Sequence, residues 1–162
     1  MSCEAAPRNF FSGLGFRVVC AKTPNLSNLV QKANVPAMNL GTARTPTPFV
    51  ATRNPGNMEY NELIMEFKLD ENLVVYDEIL DWMEALGHPD NLNPQYNSEV
   101  ADLRLIVLNS SMNPIRDLLF TEAYPTLLSE IPFDSTLTDV PYVSCTVSFQ
   151  YQRMIRQSTQ SS

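Results

Sequence analysis

Residues 142–152 alternate without interruption: Val143, Cys145, Val147, Phe149 and Tyr151 fall on one face, and Tyr142, Ser144, Thr146, Ser148, Gln150 and Gln152 on the other. Side chains of an extended backbone point to opposite sides in turn, so this period of two predicts a strand with one face built for a core. The second face is polar yet carries no charge. It either meets another subunit, lines a narrow water-filled space, or is simply half exposed.

Other segments are read around that strand. Residues 16–22 alternate Phe16, Val18 and Cys20 against Arg17, Val19 and Ala21, and residues 29–35 form a second β-like run after Thr23, Pro24 and Asn25. From 36 to 57 the chain is rich in Thr, Pro and Gly, and Pro46, Pro48 and Pro55 cannot donate to a central ladder. That stretch predicts a long hairpin or extended excursion, with residues 49–52 able to pair at an edge. Residues 59–70 read as one strand with Leu63, Met65, Phe67 and Leu69 inward. A helix follows, with Asn72 as N-cap, Leu73, Tyr76, Ile79, Leu80, Met83 and Leu86 as its apolar stripe, and Gly87 as its stop. Its other side gathers Asp77, Glu78, Asp81 and Glu84 without a Lys or Arg in register. Residues 102–108 and 115–124 read as strands, and Pro125 and Pro132 bracket a loop before the last strand.

This pattern predicts a mainly β fold, antiparallel, as a two-sheet sandwich or small barrel with one helix inserted mid-chain. At 162 residues the chain is most simply one domain, able to bury about 70% of its unfolded surface. Residues 1–15 are expected to be a flexible arm, 16–156 the β domain, and 157–162 a Ser/Gln tail. Cys3, Cys20 and Cys145 lack CxxC spacing and read as small apolar residues in a reducing compartment. No basic start precedes an apolar run, and no apolar run approaches the ~20 residues that span a bilayer, so a soluble protein without a membrane anchor is expected. The net charge of −7 argues against tight nucleic-acid binding, which depends on cations meeting phosphates.

The inventory for chemistry is short. His88 is the single histidine and sits between Gly87 and Pro89, so no Ser-His-Asp or Cys-His assembly can be built on another. Pairs such as Asp77 and Asp81, or Glu62 and Glu66, occupy surface-like positions and read as solvating charges. There is no GxGxxG and no P-loop pattern. No catalytic residue, cofactor or metal is expected.

A family resemblance enters at Tyr124-Pro125-Thr126, followed by Ile131-Pro132-Phe133-Asp134-Ser135-Thr136 and Asp139 ahead of the alternating strand. This pattern resembles the tail tube proteins of contractile-tailed bacteriophages and the related injection devices of bacteria, as does the helix carrying Asp81-Trp82 near its end. The resemblance covers residues 16–153. It implies a tail-tube-like β subunit assembling into hexameric rings, stacked into the inner tube through which DNA passes from capsid to host. It implies as partners further copies of the chain, the tail sheath, baseplate and tail-terminator proteins, and the tape-measure protein and DNA in the lumen. It implies a place in the phage tail, after assembly in the host cytoplasm. A terminator or a baseplate tube initiator of the same fold is an alternative, and a monomeric small-ligand barrel is one from a different class.

Two residue sets complete the expectations, the first by elimination and the second from the sheath that the resemblance implies. Phe10, Phe11, Met38, Leu40, Phe49 and Val50 are apolar residues that no local period buries, and are candidate subunit or ring contacts. Asp77, Glu78, Asp81 and Glu84 are candidate sheath-facing residues.

Overall fold

The computed structural model describes residues 10–46, 48–87, 99–136, 138 and 142–157. In chain order the elements are β1 (Phe16–Cys20), α1 (Leu26–Leu29), β2 (Val30–Asn34), β3 (Met38–Thr45), β4 (Thr52–Tyr60), β5 (Leu63–Lys68), α2 (Val74–Gly87), β6 (Ala101–Leu108), β7 (Pro114–Leu128), β8 (Ser144–Gln150) and β9 (Arg153–Gln157). One seven-stranded antiparallel sheet has the order β1-β6-β7-β8-β5-β2, with β9 also paired to β7. Among the described residues β3 and β4 pair only with each other.

The long strand β7 folds this sheet over on itself. Its first part pairs with β6 on one side and β9 on the other, and from Tyr124 onward it pairs with β8. The changeover centres on Glu122, whose φ of 51° places a non-glycine residue in the left-handed region. Bulges between Ala101 and Leu103 and between Pro125 and Leu127 flank it. The Glu122 N–H donates instead to the Asp102 carboxylate at 3.2 Å. Such irregularities bend a strand and strengthen its twist, which lets one strand serve two half-sheets.

Pro125 therefore does not open a loop as the sequence reading expects. β7 runs through it to Leu128, because a proline is tolerated where the ladder is already irregular. The reading of 59–70 as a single strand is corrected as well: Tyr60 ends β4 and Leu63 starts β5, with Asn61 N–H donating to the Ala37 carbonyl at the crossing between them. The alternating strand also continues, after a break at Tyr151, into β9, and Gln152 N–H donates to the Thr121 carbonyl at the junction. β9 reaches Gln157, the first residue of the expected tail; residues 1–9 of the arm, 158–162 of the tail, and His88 lie outside the described residues.

The inward faces pack into one core. Val18, Leu63, Met65, Phe67, Leu103, Phe120, Val147 and Phe149 are almost wholly buried, where a ligand barrel would hold its pocket. Helix α2 packs on this core through Val75, Ile79 and Trp82; Tyr76, Met83 and Leu86 are partly buried beside them. The expected stripe is thus rotated. Leu73 precedes the helix with φ 53°, and Leu80 is on the exposed side. Asp70, not Asn72, caps the start by accepting from Val74 N–H at 3.1 Å. Trp82 stacks near Phe149, ring centres 5.9 Å apart, and its indole N–H donates to the Glu99 carbonyl.

Candidate assembly surfaces

The β3–β4 hairpin extends away from the core, anchored at its root where Tyr60 packs near Tyr151, ring centres 5.8 Å apart. In register, Met38 lies opposite Tyr60, Leu40 opposite Met58, Thr42 opposite Pro55, and Arg44 opposite Arg53. A bulge in β4 between the second and third pairs is accommodated by Gly41 and Gly56: a Cβ on Gly56 would sit 3.0 Å from the Gly41 carbonyl oxygen. One face of the hairpin therefore carries Met38, Leu40, Met58 and Tyr60 toward its root and the two arginines toward its tip. Every residue of β3 is exposed, and Met38, Leu40 and Met58 are among the exposed large apolar side chains.

The six residues expected to make contacts are all exposed, in three places. Met38 and Leu40 share this hairpin face, Phe49 (95% exposed) and Val50 are at the tip, and Phe10 and Phe11 precede β1. Residues 49–51 form the turn rather than an edge strand; pairing begins at Thr52. Sequence reasoning missed Met58 and the arginine pair, although Met38, Leu40, Thr42 and Arg44 recur with the period of two that places them on one face.

On α2, Asp77, Asp81 and Glu84 are exposed. Glu78 is not part of that surface: it is half-buried, and its carboxylate accepts from the Asn25 side-chain amide. The spacing that aligns it with Asp81 also turns it toward the segment before α1.

The polar face of β8 lies mid-sheet. Ser148 is buried, side by side with Ile64 on β5 and Leu127 on β7. Beside it Glu66, paired with Thr146, meets Lys32 at 2.7 Å. The hydrogen bonds from Lys32 and Ser144 hold the Glu66 carboxyl below the usual carboxylate range. The far edges of β2 and of the β7 segment beyond Tyr124 carry no strand among the described residues.

The quoted sequence motifs turn out to be architectural. Pro125 fills the β7 bulge, and Thr126 Oγ1 donates to the Ser148 carbonyl at 3.2 Å. Asp134 accepts from both Thr136 N–H, at 2.9 Å, and Thr136 Oγ1, at 2.6 Å, closing a tight turn. These bonds lower the Asp134 carboxyl from its ordinary value. No group of three potential metal ligands occurs among the described residues.

The model of the phage tail tube protein family matches residues 9–157. The chain belongs to that family. It is a structural tube subunit with the tail-tube fold, and solved structures agree on the fold. The tube-terminating cap of the anti-feeding prophage superposes with a TM-score of 0.72 at 14% identity, covering 96% of each chain. A chain of the sheath–tube complex of the extracellular contractile injection system PVC gives 0.70 at 13% identity, covering 92% of each. A chain of the sheath/tube terminator of the same system gives 0.70 at 14%, covering 94% of this tail tube protein and 100% of that chain. No curated protein matches the sequence.

Proposed function

We propose that copies of this subunit close head-to-tail into hexameric rings, which stack into the inner tube that conducts phage DNA from capsid to host. The observation that carries the reading is the β3–β4 hairpin, whose apolar residues Met38, Leu40 and Met58 remain exposed among the described residues. A two-stranded hairpin is marginal in water alone, so its stability requires a partner. The bare edges of β2 and of the end of β7 support the same reading, since identical subunits can continue a sheet around a ring through such edges. Heterologous contacts of this kind close into rings when the rotation permits and otherwise propagate.

The lumen is a conduit. A cationic wall would release counterions at each phosphate it met and hold the DNA, whereas a neutral or acidic wall lets it slide. A chain with net charge −7 suits that passage, and the tape-measure protein occupies the same channel before ejection. On the outside, Asp77, Asp81 and Glu84 of α2 face the tail sheath, and the tube ends meet baseplate and terminator proteins. The subunit acts in the virion tail after assembly in the host cytoplasm, and its work is structural, not catalytic.

Light scattering on purified wild type and Phe49→Asp tests this reading. Wild type is expected to form large polymers, and Phe49→Asp a folded subunit near 18.2 kDa. A wild type that stays at subunit mass at every concentration refutes the proposal and returns the ligand-barrel alternative.

A further inference from the structure

The hairpin carries an electrostatic conflict near its tip. Arg44 and Arg53 are direct cross-strand partners, both exposed, on the face that also bears Met38, Leu40 and Met58. Like charges placed opposite one another on a two-stranded ribbon oppose its formation. A side-chain bond beside them, from the Asn54 amide to Thr45 Oγ1, lies on the other face and does not touch them. No carboxylate among the described residues forms an ion pair with either arginine. The strands nonetheless hold them side by side, at the separation where two guanidinium groups can bracket one carboxylate.

We infer that Arg44 and Arg53 form a clamp that receives an Asp or Glu carboxylate from a second copy of this chain. This rests on the reading of the hairpin as a subunit contact and names the chemistry of that contact. Charge complementarity selects the occupant: the chain has 18 acidic residues against 11 Lys and Arg, so a neighbouring copy offers carboxylates in excess. Lys22, Lys32 and Arg104 already have acidic partners, whereas this pair has none among the described residues. The apolar residues at the hairpin root exclude water as the copies meet, and a charge pair bound there is screened less than one in free solution. Between the arginines, a carboxylate converts mutual repulsion into two charge-assisted hydrogen bonds.

The substitution Arg44→Glu separates this from a purely local role. Within one subunit it turns the Arg44–Arg53 repulsion into an attractive cross-strand pair, which favours the hairpin. Toward a neighbour's carboxylate it replaces attraction by repulsion. The clamp therefore predicts that Arg44→Glu raises the concentration needed for assembly at least about thirtyfold, while leaving subunit melting unchanged or higher. Arg44→Lys, which keeps the charge but not the fork, is expected to assemble with a smaller penalty and greater sensitivity to salt. Assembly by Arg44→Glu at or below the wild-type concentration would overturn the inference. So would an unchanged assembly threshold accompanied by loss of retention on immobilised double-stranded DNA, which would assign the pair to nucleic acid. Failure of wild type itself to assemble in the same assay would instead overturn the tube reading on which the clamp rests.

Discussion

Ile79 and Leu80 are adjacent in sequence and chemically close, yet the fold assigns them opposite fates. Ile79 is fully buried between α2 and the sheet, whereas Leu80 is 36% exposed on the helix surface. Truncating Ile79 to Ala removes buried methyl and methylene groups from a closely packed site and leaves a cavity, at a cost of about 2–5 kcal/mol. In a domain of this size such a loss lowers the melting temperature by about 5–15 °C. Leu80→Ala removes a side chain that is only partly covered and installs a better helix former, so its cost is expected to be clearly smaller, about 1 kcal/mol. Urea unfolding of the unassembled subunit, followed by circular dichroism, measures both. Equal losses for the two variants, or a larger loss for Leu80→Ala, would refute the placement of α2 and restore the stripe first read from the sequence.

Tyr151→Phe is expected to be neutral or to stabilise by about 1 kcal/mol, because the buried hydroxyl has no hydrogen-bond partner among the described residues. Burial also raises the Tyr151 pKa, so the wild type loses stability as pH rises from the ordinary phenol value through the higher folded-state one; melting curves at alkaline pH should show this component vanish in the Phe variant. Glu66 behaves oppositely: its depressed pKa contributes stability above the ordinary carboxylate range that disappears as pH falls through the folded-state value, and Glu66→Gln should flatten that part of the acid melting profile. Gly56→Val is expected to disrupt the hairpin and raise the assembly threshold without altering subunit melting, since a Cβ there meets the Gly41 backbone while the core is untouched.

The legible parts of the sequence were those governed by short periods. Alternation over 142–152 located β8 and its buried face, and the proline-punctuated stretch after residue 36 gave the long hairpin. Pro125 misled because a proline ends a regular ladder but not a strand changing partners at a bulge, and that change is a tertiary event. The helix stripe is rotated about Ile79 because Val75 and Trp82 satisfy helical spacing as well as Leu73 and Leu80 do, and the packing of Trp82 against Phe149 decides between them. Of the surface residues, the exposure of Phe49, Met38 and Leu40 followed from the lack of any period to bury them. The opposition of Arg44 and Arg53 depends on the hairpin register, which includes a bulge that no local pattern announces.

Electron microscopy of the purified wild-type protein tests the central claim most directly. The account predicts six-fold rings, each six times the 18.2 kDa of one subunit, stacked into hollow tubes whose length grows with concentration. Single rings that never stack would identify a terminator instead, and particles of one subunit would contradict the account outright.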